Sequence, residues 1–303
     1  FQKGTIEHLA ELIREQEATT TATKTPLVAI EPRGAKPPFF CVHPGSGEVL
    51  CYVPWSRYLG AEQPFYALQD PNLASEEEVE MPLEEMAGLY LKAVREVQPS
   101  GPYMLGGWSF GGHVAFEMAQ QLKRQGEEVS LLVVIDTVSP KLVKSKFSKT
   151  SDAELLAIMV SEMATDSGKE IDELTEALTP LKPDAQLKYV YDYLVQHREL
   201  TTLQDYTLAY LYRALQVFKT RIRVQQAYEP QVYDGRITLF KATHRRDEAR
   251  VTDPTLGWGD LSTEPVEIHL IPGTHATIAL MPHAEVLCRR LRESIDKAAR
   301  PTS

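Results

Sequence analysis

The sequence predicts an α/β fold: a mostly parallel sheet covered by helices on both faces, with a helical block inserted between two of its strands. Three observations carry this expectation. Seven short apolar runs alternate with amphipathic helical patterns, and parallel strands need helix-length crossovers of that kind. The rhythm breaks once, between about residues 140 and 228, where helical stripes follow one another without a convincing strand. The composition also suits a sizeable core, with 303 residues, 43% hydrophobic and 24% charged.

The elements follow in chain order. Residues 1–16 place Ile6, Leu9, Ala10 and Ile13 on one helical face, with Thr5 at the N-cap position. So short a helix is marginal alone, so its stripe has to dock on something. Residues 17–26 are poor in large apolar side chains and read as a linker. Strands are expected at 27–30, 38–42, 64–67, 103–106, 131–135, 237–240 and 266–271.

Between these runs, Leu83, Met86, Ala87, Tyr90, Val94 and Val97 repeat at helical spacing, as do Val114, Ala115, Met118, Ala119 and Leu122. A last helix is expected from about 282 to 297. Inside the inserted block, Ser151 and Glu154 have capping-box spacing ahead of Leu155, Leu156 and Met159. Pro183 and Asp184 precede a stripe of Leu187, Val190, Tyr191 and Leu194. Leu208, Leu211, Leu215, Phe218 and Ile222 form another. Helices inserted between two sheet strands lie outside the sheet and read as a lid over one edge. No period of 20–50 residues recurs, which excludes a solenoid.

Charge and cysteine usage exclude whole classes of function. Lysine and arginine number 32 against 42 aspartates and glutamates, a net charge of −10. Such a chain is a poor coat for nucleic acid or an anionic membrane. No apolar run approaches the roughly 18 residues of a membrane span, and the first residues lack a basic-then-apolar signal pattern. Cys41, Cys51 and Cys288 are odd in number and lack CxxC spacing, which argues against a disulfide framework and a structural zinc. The expectation is a cytoplasmic globule without a metal.

The most informative segment runs from Tyr103 to Ala119. A strand leads into Gly107-Trp108-Ser109-Phe110-Gly111, and an amphipathic helix starts at once. A serine on so sharp a turn takes a strained backbone, and the residues two before and two after it are forced together, which favours glycine at both. The turn lifts the Ser109 hydroxyl above the sheet, beside a helix start that favours developing negative charge. Neither a GxGxxG nor a GxxxxGK[ST] phosphate cradle can be laid on these residues.

A serine hydroxyl needs a base. With a nucleophile on this turn, the acid and then the histidine follow in the chain. His275 stands in a Pro-Gly-Thr-His loop just past the last strand, at the sheet edge where an open parallel sheet keeps its site. His269 falls inside a strand, and His283 looks like a helix start. Two acids qualify: Asp136, ending the run Leu131–Ile135, and Asp247, after a later strand. For the oxyanion hole, one N–H comes from Phe110. The other comes from the loop after the second strand, with Ser46 first and Gly45 next. His43 reads as a residue that orders that loop.

These segments together resemble the thioesterase domains that end polyketide synthases and nonribosomal peptide synthetases. The likeness rests on Phe-Cys-Val-His-Pro-Gly-Ser-Gly, Gly-Gly-Trp-Ser-Phe-Gly-Gly, Val-Val-Ile-Asp, Leu-Phe-Lys-Ala, Leu-Gly-Trp and Pro-Gly-Thr-His, from about 27 to 298. Two departures are visible: Gly-Thr-His-Ala replaces Gly-Asp-His-Phe, and Gly-Ser-Gly replaces Ala-Gly-Gly. The resemblance implies an α/β-hydrolase fold over 27–303, Asp136 as the acid, and a lid at about 140–228 that shapes a substrate tunnel. It also implies release of a carrier-tethered polyketide or peptide by hydrolysis or macrocyclisation.

Residues 1–16 look like the last helix of an acyl or peptidyl carrier domain. The resemblance therefore implies no cofactor bound in this chain, the substrate arriving on the phosphopantetheine of an upstream carrier. The alternatives are a general carboxylesterase and a stand-alone editing thioesterase. The oligomeric state stays open, a dimer included.

Overall fold

A computed structural model describes residues 25–74, 80–147, 150–163, 171–196, 208–245 and 252–300. The expected carrier helix at 1–16, most of the linker at 17–26, and Asp247 lie outside the described residues. Seven strands form one sheet: β1 (Leu27–Glu31), β2 (Phe39–Val42), β3 (Phe65–Leu68), β4 (Tyr103–Trp108), β5 (Val129–Ile135), β6 (Thr238–Ala242) and β7 (Glu267–Ile271). Their order is β1-β3-β2-β4-β5-β6-β7. β1 runs antiparallel to β3, and every other neighbouring pair is parallel. Each expected apolar run is a strand, with ends differing by at most two residues.

The central strands read as unbroken apolar runs because both faces are covered. Phe40, Val42, Leu105, Leu132 and Val134 point to one layer. There they meet α1 (Leu83–Val97) and α2 (Phe110–Arg124) through Met86, Tyr90, Val94, Val114, Met118 and Leu122. Phe39, Cys41, Met104, Val133 and Ile135 point to the other, against Leu287, Leu291 and Ile295 of a C-terminal helix. The alternation of Phe39 with Phe40 and of Val133 with Val134 is the two-residue period of a strand. Burying one such side chain contributes about 1.5–3 kcal/mol, so the two layers hold the sheet from both sides.

Between β5 and β6 come α3 (Pro140–Phe147), α4 (Asp152–Met163), α5 (Ile171–Leu178), α6 (Pro183–Gln196) and α7 (Leu208–Ala227), followed after β7 by α8 (His283–Ala298). The backbone N–H of Glu154 donates to Ser151 Oγ at 3.3 Å, so the expected cap does start α4. The inserted helices keep their own core, in which Leu156, Val160, Leu174, Leu178, Val190, Leu194 and Leu215 are buried together.

Candidate active site

All parallel strands end at one edge, and that edge gathers the residues the sequence singled out. The loop with Ser46 follows β2, Ser109 follows β4, Asp136 follows β5, and the loop with His275 follows β7. Parallel strand direction alone brings together positions more than 200 residues apart.

Ser109 has φ 57° and ψ −121°. A side-chain-bearing residue at positive φ stores about 1–3 kcal/mol of strain. The close packing that imposes it is visible at the flanking glycines. A Cβ on Gly107 would stand 2.1 Å from the carbonyl oxygen of Gly111, and one on Gly111 would stand 2.4 Å from that of His43. The turn is held by the Ser109 N–H donating to Ile135 O at 3.0 Å and by Thr137 Oγ1 donating to Ser109 O at 3.0 Å.

Asp136 also has positive φ, 45°, in the left-handed region that aspartate tolerates. Its carboxylate is fully buried. Oδ2 accepts from His275 Nδ1 at 2.8 Å, and Oδ1 accepts from the Ala242 N–H at 3.0 Å and Arg245 Nη1 at 2.5 Å. Burial alone would raise this carboxyl. The hydrogen bond and charge of His275, then Arg245 and the Ala242 N–H, outweigh burial and hold it down to about 2. A carboxylate at Nδ1 fixes the neutral imidazole as the Nδ1–H tautomer, which makes Nε2 the acceptor nitrogen.

The His275 ring lies 5.9 Å, centre to centre, from that of Trp108, the residue before the serine. Its loop is tied by Thr274, whose N–H donates to Thr277 Oγ1 at 2.8 Å. The Thr274 hydroxyl meets the same Thr277 oxygen at 3.1 Å, so the side chain too helps close this local turn.

His43 is buried and neutral. Its Nδ1–H donates to Pro44 O at 2.6 Å, and Nε2 accepts from the Tyr90 hydroxyl at 2.8 Å. Burial, helped by the charge of Arg221, pushes it down to about 3. It orders the loop, as expected. Its ring stacks on Phe110 at 5.8 Å. On the same phenyl ring, the Arg221 guanidinium carbon lies 4.7 Å from the centroid. Phe110, the residue after the serine, is therefore held by both partners. His269 lies in β7 against Phe240, and His283 opens α8.

Sequence reasoning missed Arg245, Arg221 and Asp70. Arg221 sits in α7 beside Ile222 of the apolar stripe and is ion-paired with Asp70, which follows β3. No sequence signal marked the pair, since Arg221 stands among Lys219, Thr220 and Arg223 and looks like one more exposed cation. Among the described residues no cluster of His, Cys, Asp and Glu is arranged to hold a metal. No helix there is long and apolar enough to cross a membrane.

Comparison with known proteins places this geometry in a family. The thioesterase domain model matches residues 37–295. The dimodular nonribosomal peptide synthase of Bacillus subtilis (strain 168) is 31% identical over 243 residues, which is 80% of this chain and 10% of that protein. The chondramide synthase cmdD of Chondromyces crocatus is 30% identical over 99% of this chain and 8% of its own length. The chain thus spans a tenth or less of these two relatives.

Among solved structures, holo-AB3403, a four-domain nonribosomal peptide synthetase bound to AMP and glycine, superposes with a TM-score of 0.76 at 28% identity. The match covers 95% of this chain and 21% of that one. The NocB thioesterase domain from the nocardicin cluster shares the fold, with a TM-score of 0.59 at 23% identity over 89% of this chain and 98% of that one.

Proposed function

Because the chain belongs to the thioesterase domain family, we propose that it releases a polyketide or peptide chain from an upstream carrier domain through an acyl ester on Ser109. The observation that carries the reading is the 2.8 Å bond between His275 Nδ1 and Asp136 Oδ2, made at the sheet edge where the strained turn presents Ser109.

In this reading the substrate arrives as a thioester on the carrier's phosphopantetheine. Ser109 Oγ attacks the thioester carbonyl carbon while His275 Nε2 takes the hydroxyl proton, and Asp136 stabilises the imidazolium. The N–H groups of Phe110 and Ser46, with Gly45 the alternative to Ser46, receive the developing oxyanion. Each such donor is worth roughly 10²–10³ in kcat. The tetrahedral centre collapses, the C–S bond breaks, and the leaving thiolate takes the proton from His275. Water, or a hydroxyl or amine of the same acyl chain, then attacks the ester with His275 again as base, the bond from the acyl carbon to Ser109 Oγ breaks, and His275 returns the proton to Ser109. The product is a linear acid or a ring.

The helices from Pro140 to Ala227 act as the lid that folds the acyl chain and meters water. We place the domain in the cytoplasm, in keeping with three free cysteines.

The test is intact-mass measurement after incubation with an N-acetylcysteamine thioester panel. Wild type gains the acyl mass and turns over, and Ser109→Ala shows neither. An adduct persisting on the alanine variant refutes the assignment. A general carboxylesterase would hydrolyse small oxygen esters at least as fast as the matching thioesters, so a side-by-side assay separates the two.

A further inference from the structure

The loop after β6 was the place for a rival acid, yet the side chain it delivers to the site carries the opposite charge. Arg245 Nη1 lies 2.5 Å from Asp136 Oδ1, and the Arg245 side chain is only 6% exposed. The pairing follows from strand order. β6 lies beside β5, with Ile135 opposite Phe240, and the Asp136 N–H donates to Phe240 O at 2.7 Å. The residues after the two strands therefore run together, and Ala242 at the end of β6 and Arg245 just beyond it both reach Oδ1 of the carboxylate.

This contact has consequences for orientation. The terminal torsion of an aspartate is broad, so a single backbone donor at 3.0 Å does not fix the plane of the carboxylate. A second donor on Oδ1, the Arg245 guanidinium, adds the constraint that keeps Oδ2 aimed at the imidazole. An exposed ion pair would contribute little. This one is desolvated on both sides, so removing the guanidinium takes both a charge and a donor from a buried carboxylate.

We propose that Arg245 is a positioning residue for the reaction at Ser109: its guanidinium clamps the Asp136 carboxylate so that Oδ2 stays on Nδ1 of His275. This rests on the reading of Ser109, His275 and Asp136 as the catalytic set. Arginine suits the task because its planar, rigid guanidinium fixes the direction of the hydrogen bond, where lysine offers a freely rotating point charge. The charge of Arg245 also helps hold the Asp136 carboxyl low.

The experiment uses the full chain in six forms: wild type, Arg245→Gln, Arg245→Lys, Asp136→Asn, and the double variants Arg245→Gln/Asp136→Asn and Arg245→Lys/Asp136→Asn. The readouts are kcat and KM with an N-acetylcysteamine thioester and the rate of labelling by a fluorophosphonate probe. Arg245→Gln is expected to lower kcat and labelling about ten- to a hundredfold with KM nearly constant. Arg245→Lys should recover part of the loss. In the Asp136→Asn background, Arg245→Gln should cost under about twofold, because the group it clamps is already compromised.

A merely structural role predicts the same loss in both backgrounds, and that result overturns the proposal, as does Arg245→Gln at wild-type kcat. If Arg245→Gln does not fold, Arg245→Lys carries the test. It should be several-fold slower than wild type, with the loss vanishing beside Asp136→Asn, and wild-type kcat or an equal loss in both backgrounds overturns the proposal. Asp136→Asn labelled at the wild-type rate sinks the catalytic set itself, and the clamp with it. A slow Asp136→Asn beside a fast Arg245→Gln sinks the clamp alone.

Discussion

The guanidinium of Arg221 lies over the ring of Phe110, 4.7 Å from its centre, and the same side chain is ion-paired with Asp70. An inserted helix, the loop after β3 and the residue following the serine are thereby joined at one point. Arg221 and Asp70 are 13% and 2% exposed, so the pair is desolvated. Burial alone pushes the guanidinium down to about 10. Removing one member leaves a buried charge without its partner, so Asp70→Ala or Arg221→Ala should cost about 3–5 kcal/mol. Replacing both with leucine and methionine should recover most of it. Urea denaturation of the three variants checks this.

Two buried histidines make the fold sensitive to mild acid. His113 in α2 donates from Nε2 to Val138 O at 2.6 Å, and its Nδ1 accepts from Gln225 at 2.8 Å. Burial pushes it down to about 4, as it pushes His43 to about 3, both from 6.5. Between pH 6.5 and about 4 the unfolded chain takes up protons at both positions and the folded chain does not. Stability therefore falls with pH across that window, by up to about 1.4 kcal/mol per pH unit for each histidine. Denaturation midpoints at pH 7, 6 and 5 measure the slope. His113→Gln should reduce it by the equivalent of about one proton.

The serine turn tolerates no side chain at its flanks. Gly107→Ala brings a Cβ to 2.1 Å and Gly111→Ala to 2.4 Å from backbone oxygens, where nothing flexible can yield. Each should cost several kcal/mol or prevent folding, on the order of an overpacked core change or more. At Gly45 a Cβ meets nothing within 4 Å. Gly45→Ala should therefore keep the melting temperature of the parent, as differential scanning fluorimetry would show.

The far end of α7 is bolted down by Tyr228, whose hydroxyl donates to Glu117 Oε2 at 2.6 Å and accepts from Gln120 at 3.3 Å. Glu117 is 2% exposed. Tyr228→Phe leaves that carboxylate oxygen without this donor and should cost about 1–3 kcal/mol. Hydrogen exchange in α7 should quicken before exchange in the sheet does.

How much of this was legible depended on how local each cause is. The strands could be read because β-branched and aromatic runs such as 131–135 suit buried pleated surfaces. Ser109 could be read because its turn demands glycine at 107 and 111. His275 could be singled out from its loop and its place in chain order after Ser109, whereas preferring Asp136 to Asp247 needed the resemblance. The contacts of Arg245 with Asp136 and of Arg221 with Asp70 span 109 and 151 residues. They follow from which strand lies beside which and where the inserted helices settle. No periodicity records that, and a charged residue in sequence looks the same whether it ends in water or against a buried partner.

The separation along the chain has an outcome during synthesis. His275 and Asp136 lie 139 residues apart, and the imidazole comes from the loop after the last strand to be made. In the reading proposed for Ser109, a chain delivered only through β6 still lacks the imidazole that would take the hydroxyl proton. On that reading, acyl transfer would begin only once the final edge of the sheet has closed, and it would report that translation and folding have both finished.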